Sequence, residues 1–388
     1  THCRLLVTAE FPHLALYWGN TLSAPDPFFD PANPDFFTIS IPQWPEQRIL
    51  VLPDHGVTFL LGSDYVGEHK MSFLRLMMYK AFQKGALGCH AASKIFHLRD
   101  EHGLKEYGAI IFGLSKTGKT TLTTSPHDLR FPERIFIPQD DIVVFTPEGR
   151  AIGTEQNFYV TTEGLTEQSH PTIFRAATSP DALLENVFVN EEGVPDFENI
   201  SISANGRAVT QRNDIEYASD APLDVEKIHY VFFITRRNDI IYPMVRLSPE
   251  WAALTFLLGE SVQTAAGDPT KAGQAMRVPG FDPFMMVDPA LVTNRFYELL
   301  RANPNIQCIL LNTGSVGEKR KIRPDESAKM IEAAVRGRVI WHDEEFLGEM
   351  QGYNPAFEVP GVDIASLEPD DYYSPQELMQ KRQALLRE

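Results

Sequence analysis

The chain has 388 residues, 43% hydrophobic and 22% charged, which excludes a disordered, collagen-like or low-complexity polypeptide and allows about two to three domains, or one large α/β unit with an appended lobe. With 35 basic against 52 acidic residues the net charge is −17, a field that repels polyanions, so nucleic acid is not an expected partner and any bound phosphate must be caught by local geometry. Cys3, Cys89 and Cys308 have no paired spacing for a disulfide framework or a structural zinc, and no apolar run reaches bilayer length, so a cytoplasmic location without a membrane partner is expected.

In chain order, the Pro/Asp/Phe-rich residues 23–37 predict an ordered loop or linker. Arg48–Leu52 and residues 56–61 read as strands, and residues 71–82 as a buried helix whose Met77 and Met78 fill core space. A strand over 109–114, a helix from Lys119 onward, and strands over 135–138 and 142–146 follow. Further strands are predicted at 229–235 and Gln307–Asn312, with helices at Pro249–Leu258, Pro289–Ala302 and 326–336. Residues 259–280, small and polar with little periodicity, predict a mobile loop. His97, His102 and His127 lack partner spacing and are expected at the surface or in loops, and the acidic runs 343–345 and 368–371 as solvated faces.

The most specific pattern is Gly113-Leu114-Ser115-Lys116-Thr117-Gly118-Lys119-Thr120, which matches Gly, four residues, Gly, Lys, Ser/Thr. It follows the apolar run Ala109-Ile110-Ile111-Phe112 and opens a predicted helix, the context in which backbone N–H groups cradle phosphate oxygens. Lys119 then supplies charge to the β- and γ-phosphates of ATP, and the Thr120 hydroxyl a ligand to Mg²⁺. About twenty residues on, Asp140 and Asp141 end an apolar strand, where phosphoryl transfer places a metal-holding carboxylate.

A resemblance rests on these residues in this order: Gly62-Ser63-Asp64-Tyr65-Val66-Gly67-Glu68-His69-Lys70, then Gly88-Cys89-His90-Ala91-Ala92-Ser93, the phosphate loop through Thr121, and Asp140-Asp141. It continues through Glu155 to Tyr159, Leu184-Glu185-Asn186-Val187, Pro195-Asp196-Phe197, Asn205-Gly206-Arg207, Leu311-Asn312-Thr313-Gly314, Lys319-Arg320 and Pro360-Gly361-Val362-Asp363. Together they resemble ATP-dependent phosphoenolpyruvate carboxykinase from about residue 51 onward.

That resemblance implies a two-lobed α/β fold with a P-loop mononucleotide-binding domain. Residues 1–86 would form a reduced N-terminal lobe and 87–388 the nucleotide-binding and catalytic domain, with a lid at 259–280. ATP and two divalent cations, Mg²⁺ and Mn²⁺, would sit between them. By position, Gly113, Ser115, Lys116, Thr117, Gly118, Lys119, Thr120 and Thr121 hold the nucleotide, with Glu155 and Arg320 in stretches that accompany it. Thr120 and Asp140 hold Mg²⁺, and His90 and Asp141 hold Mn²⁺. Tyr65 lines the substrate pocket, Lys70 is the first of two adjacent lysines, and Arg207 bridges the transferred phosphoryl group and the substrate. Lys119, Arg207, Asp141 and Lys70 are thus the catalytic candidates.

The sequence also departs from the family. The second lysine, a Mn²⁺ ligand, is Met71, and a thioether suits a hard cation poorly. His69 is a candidate substitute. A segment whose arginine grips the substrate carboxylate has no counterpart, leaving Arg4 and Arg48 as the only arginines ahead of the matched part. Lys116 stands where the family has a loop glycine. These departures lead to the expectation of an ATP-dependent phosphotransferase acting on an acceptor other than oxaloacetate. The alternatives are a genuine carboxykinase and an ATP-binding sensor without turnover. Neither the acceptor nor the oligomeric state is legible.

Overall fold

The structure is a computed structural model and describes all residues except 115–116, 263–274, 318, 344–349, 354–357 and 386–388. Near the N-terminus, alternating side chains build a four-stranded sheet in the order Cys3–Val7, Phe36–Ile41, Val57–Leu61, Arg48–Leu52. The first three strands are parallel and the last antiparallel. Helices α1 (Pro12–Thr21) and α2 (Val66–Gln83) pack on each other, and α2 lies on the two central strands. Polar side chains lock that contact: Thr38 and Ser72 share a hydroxyl hydrogen bond of 2.8 Å, and Ser40 Oγ lies 2.8 Å from His69 Nε2. Residues 23–35 carry no helix or strand, as expected of the proline-rich stretch, but the strands on either side of it and α1 were not anticipated.

The larger sheet has eight strands in the order Trp341–Asp343, Gln351–Tyr353, Met244–Leu247, Gln307–Asn312, Ile228–Thr235, Gly103–Phe112, Ala91–Asp100, Arg134–Gln139. Only Gln307–Asn312, Ile228–Thr235 and Gly103–Phe112 run parallel to their neighbours in this set. Where they are covered on both faces, as over residues 109–112 and 231–234, they are continuous apolar runs rather than alternating ones. Helix α3 (Lys119–Thr124) leaves the end of Gly103–Phe112, and α4 (Pro171–Ala177) follows later, packed on Arg207–Thr210. One face of the sheet is covered by α5 (Pro249–Leu258) and α6 (Pro289–Ala302), through a ring cluster in which Phe256 stacks on Phe296 at 4.5 Å and Phe112 on Phe233 at 5.3 Å. The other face meets α3 and α7 (Pro324–Val335), where Tyr230 Oη donates to Ala334 O at 3.2 Å. The chain closes with α8 (Pro375–Leu385).

Residues 259–280 are more ordered at their ends than a loop. Glu260–Val262 pairs antiparallel with Ala275–Arg277, and the tip between them lies outside the described residues. His127 also differs from its expected surface position. It is buried, because a buried lysine on the neighbouring strand hydrogen-bonds its ring. No helix among the described residues is long and apolar enough to cross a membrane.

Candidate functional site

The end of Gly103–Phe112 opens into a cleft of about 1200 Å³. That exceeds the roughly 300–1,000 Å³ of a pocket for one small molecule, so two ligands can share it. Gly113, Thr117, Gly118, Lys119, Thr120 and Thr121 all line it, whereas Ser115 and Lys116 lie outside the described residues. Gly118 has φ +105°, a conformation that L side chains rarely adopt, and it turns the chain directly into α3. The turn is pinned from both sides. Thr117 Oγ1 donates to Leu114 O at 2.7 Å, and Thr313 Oγ1, from the loop after Gln307–Asn312, donates to Thr117 O at 2.7 Å.

Opposite the loop sits a cluster of buried ionisable groups. Lys70, on α2, forms an ion pair with Asp141, and its Nζ is 3.2 Å from Glu155 Oε2. Lys119 Nζ reaches to 3.8 Å from Asp141 Oδ1. Burial by itself would raise Asp141, but Lys70, His90 and Lys119 outweigh it and hold this carboxyl well below its ordinary range. Burial wins at its neighbours: it pushes Asp140 up to about 6 and Glu155 up to about 7, against the opposing pull of Lys119 and Lys70 respectively.

These groups are poised for positive charge. Asp140 Oδ1 and Glu155 Oε1 are buried and accept no hydrogen bond. His90 Nδ1 lies 2.8 Å from Phe281 O, so that nitrogen carries the proton, and Nε2 faces Asp141 Oδ1 at 3.0 Å. A bare nitrogen against a carboxylate at that distance calls for a proton or a cation. Among the described residues no three His, Cys, Asp or Glu side chains converge as a complete ligand set. A cation here would therefore take two protein ligands, His90 and Asp141, whose mixed nitrogen and oxygen donors suit Mn²⁺ better than Mg²⁺.

The third wall is a three-stranded sheet in which Arg207–Thr210 runs between Phe158–Thr161 and Leu183–Glu185. Arg207 faces the cleft and donates to Thr161 Oγ1 at 2.7 Å. Tyr65 lies at the start of α2, with its ring over Gly67, where a Cβ would meet it at 2.5 Å. Glu185 joins this wall to α2: one oxygen accepts from Val66 N and the other from Tyr159 Oη, both at 2.7 Å. Helix α2 has no side-chain cap of its own, so Glu185 supplies one from another element.

A family model described as phosphoenolpyruvate carboxykinase matches residues 4–364. The chain belongs to the phosphoenolpyruvate carboxykinase family. The phosphoenolpyruvate carboxykinase (ATP) of Aeropyrum pernix is 38% identical over 372 residues, 95% of this chain and 73% of that relative. The one from Rhizobium rhizogenes is 28% identical over 325 residues, 81% of this chain and 57% of its own length, and the one from Mesorhizobium japonicum is 27% identical over 384 residues, 94% and 68%. The match is therefore to a family of enzymes, through most of this chain and a smaller share of several relatives.

Within this carboxykinase framework the structure brings together Tyr65, Lys70, His90, Lys119, Thr120, Asp140, Asp141 and Arg207 at one cleft. Glu155 lies behind them, against Lys70. Arg320 does not line the cleft. It pairs with Glu326 at 2.5 Å and donates to Ser366 Oγ at 3.1 Å beside a separate, open pocket. His69 cannot replace a ligand, because its two nitrogens are taken up by Ser40 Oγ and Tyr65 O on the sheet side of α2. Met71 is not the residue that meets Asp141; it packs with Leu74, Met78 and Ile142 while Lys70 takes the polar face. Arg4 donates to Pro31 O and Arg48 pairs with Glu46, both away from the cleft. Unanticipated from the sequence are the tie by Glu185, the His170 ring at 3.0 Å from Thr121 Oγ1, and the Thr313 brace. The motifs holding Glu185 and Thr313 were visible, but nothing local to them shows what they touch, and His170 belongs to no motif.

Proposed function

We propose that this protein catalyses the ATP-dependent carboxykinase reaction, converting oxaloacetate and ATP to phosphoenolpyruvate, CO₂ and ADP. The observation that carries the reading is the convergence of the phosphate loop, the Lys70–Asp141–His90 cluster and Arg207 on one cleft with room for two ligands. Loss of CO₂ leaves an enolate whose oxygen attacks the γ-phosphorus as the bond to ADP breaks. Such a transfer is governed by positioning and by neutralising the charge on the equatorial oxygens. Lys119 and the loop amides hold the phosphates, Arg207 spans the phosphoryl group and the substrate, and Tyr65 with Lys70 shapes the polar pocket for the small dianion. Thr120 and Asp140 would hold Mg²⁺, and His90 and Asp141 Mn²⁺; when bound, these cations supply charge neutralisation. The reading includes a P-loop domain beginning near residue 87, a smaller lobe before it and a cytoplasmic location.

The expected acceptor other than oxaloacetate loses its grounds. Met71 borders the cleft but packs with Leu74, Met78 and Ile142, and the ion pair with Asp141 is made by Lys70. The chain spans 73% and 57% of the first two relatives, so a segment unmatched here says nothing about how the substrate carboxylate is gripped. A coupled assay of phosphoenolpyruvate formation, with Mg²⁺ and Mn²⁺ present, tests the proposal. Turnover that requires both ATP and oxaloacetate and falls by about 10²–10³ in Lys119→Ala is expected. ATP hydrolysis or binding without phosphoenolpyruvate would overturn it.

A further inference from the structure

At the opposite end of α3 from the phosphate loop, a lysine is sealed in the core. Lys94, on Ala91–Asp100, is fully buried. Its Nζ lies 2.8 Å from Leu122 O, 2.8 Å from Ser125 O and 2.7 Å from His127 Nε2. The Phe96 ring walls the site, with its centroid 5.3 Å from Nζ and 5.1 Å from the His127 ring centre.

The hydrogen-bond pattern defines the protons. His127 Nδ1 lies 2.8 Å from Ala328 O, which can only accept, so Nδ1 carries a hydrogen. That leaves two arrangements in which every group is satisfied. Either an ammonium at Lys94 donates to both carbonyls and to a bare Nε2, or an amine donates to the carbonyls and accepts from Nε2–H. Each holds one positive charge between the two side chains. Burial draws both groups below their ordinary values, which favours one shared charge over two.

We propose that Lys94, with His127, is a positioning residue for the phosphate loop, holding the last carbonyls of α3 so that Lys119 and Thr120 at its first turn stay aimed into the cleft. Helix α3 is only six residues long, so what fixes one end fixes the other. Through Ala328 the same contact ties the loop to α7. The inference rests on the phosphate loop being the nucleotide site and not on the identity of the second substrate.

Lys94→Met removes three donors while keeping the length of the side chain. Calorimetric titration with MgATP, at a temperature where circular dichroism shows the variant folded, should give a dissociation constant raised by roughly tenfold or more, the scale of misplacing groups that must converge on a ligand. His127→Asn tolerates the residue's φ of +57° but reaches neither partner; it should weaken MgATP by a smaller factor in the same direction. In turnover, the KM for ATP should rise and kcat should fall, by less than in Lys119→Ala. A purely structural role would lower the melting temperature and leave these constants alone, so folded variants with wild-type MgATP affinity overturn the proposal. If Lys94→Met does not fold, His127→Asn decides by the same criterion. Failure of the wild type itself to bind MgATP would overturn the nucleotide-site reading and this inference with it, whereas failure to form phosphoenolpyruvate with MgATP binding intact would touch only the proposed reaction.

Discussion

Among the described residues two lysines are withdrawn from water, and they are held in opposite ways. Around Lys70 the partners are carboxylates: burial would lower its pKa, but Asp141 and Glu155 reverse that and keep the ammonium charged. Around Lys94 they are two carbonyls and an imidazole, and burial lowers its pKa well below the ordinary lysine range. Equal burial thus sets neither charge nor role; the partners do. The first lysine belongs to a cluster with carboxylate oxygens left over for a cation, the second to a closed network in which both carbonyls and the imidazole are engaged.

The largest expected difference is in turnover. Lys70→Met, and equally Lys119→Ala, should lower kcat for phosphoenolpyruvate formation by about 10²–10³, the scale of a lost electrostatic contact in a preorganised site. A loss at Lys70 no greater than that at Lys94 would break the contrast. Met71→Lys is next in size. It buries a charge among Leu74, Met78 and Ile142, so it should cost about 3 kcal/mol or more in denaturant unfolding and bring no gain in Mn²⁺ affinity by titration. Tighter Mn²⁺ binding by that variant would return the ligand role to position 71.

Glu155 sharpens the comparison through pH. Burial pushes its carboxyl from the ordinary 4.5 up to about 7, so the stability linked to it is fully present below pH 4.5 and lost as pH rises through 7. Glu155→Gln cannot ionise and should remove that decline, by up to about 1.4 kcal/mol per pH unit, in melts compared at pH 5 and pH 8. Parallel curves for the two proteins would show that Lys70 neutralises Glu155 completely. The smallest effects belong to Arg4→Ala and Arg48→Ala. Each should change stability by no more than about 0.5 kcal/mol and leave the KM for oxaloacetate where it was. A raised KM would give one of them the carboxylate contact that its position denies.

Elements governed by local rules were legible. Helices α5 and α6 begin and end as expected because Ser248 and Asp288 cap them and proline follows each cap. Gln307–Asn312 declares itself as an apolar run. That Gly113, Gly118, Lys119 and Thr120 and the Asp140-Asp141 pair share a cleft was legible for the same reason, since each group is contiguous in sequence. What stayed hidden depends on distant partners. Cys3–Val7 is a strand because it pairs with Phe36–Ile41 across an irregular stretch. His127 is buried because Lys94 reaches it from another strand. Whether residue 70 or 71 meets Asp141 is set by the rotation of α2 on its sheet, and one residue along a helix turns a side chain by about 100°.

The order of strands in the larger sheet has a consequence for biosynthesis. Gly103–Phe112 finds one neighbour, Ala91–Asp100, in the chain just made before it, but the other, Ile228–Thr235, is translated more than a hundred residues later. At about 5–20 residues per second the apolar edge Ala109–Phe112 waits on the order of ten seconds for its cover. The Thr313 brace on the phosphate loop comes later still. A ribosome-bound chain stalled before residue 228 should therefore present that edge to chaperones and bind no nucleotide, and only release beyond Thr313 should let the loop take its final shape.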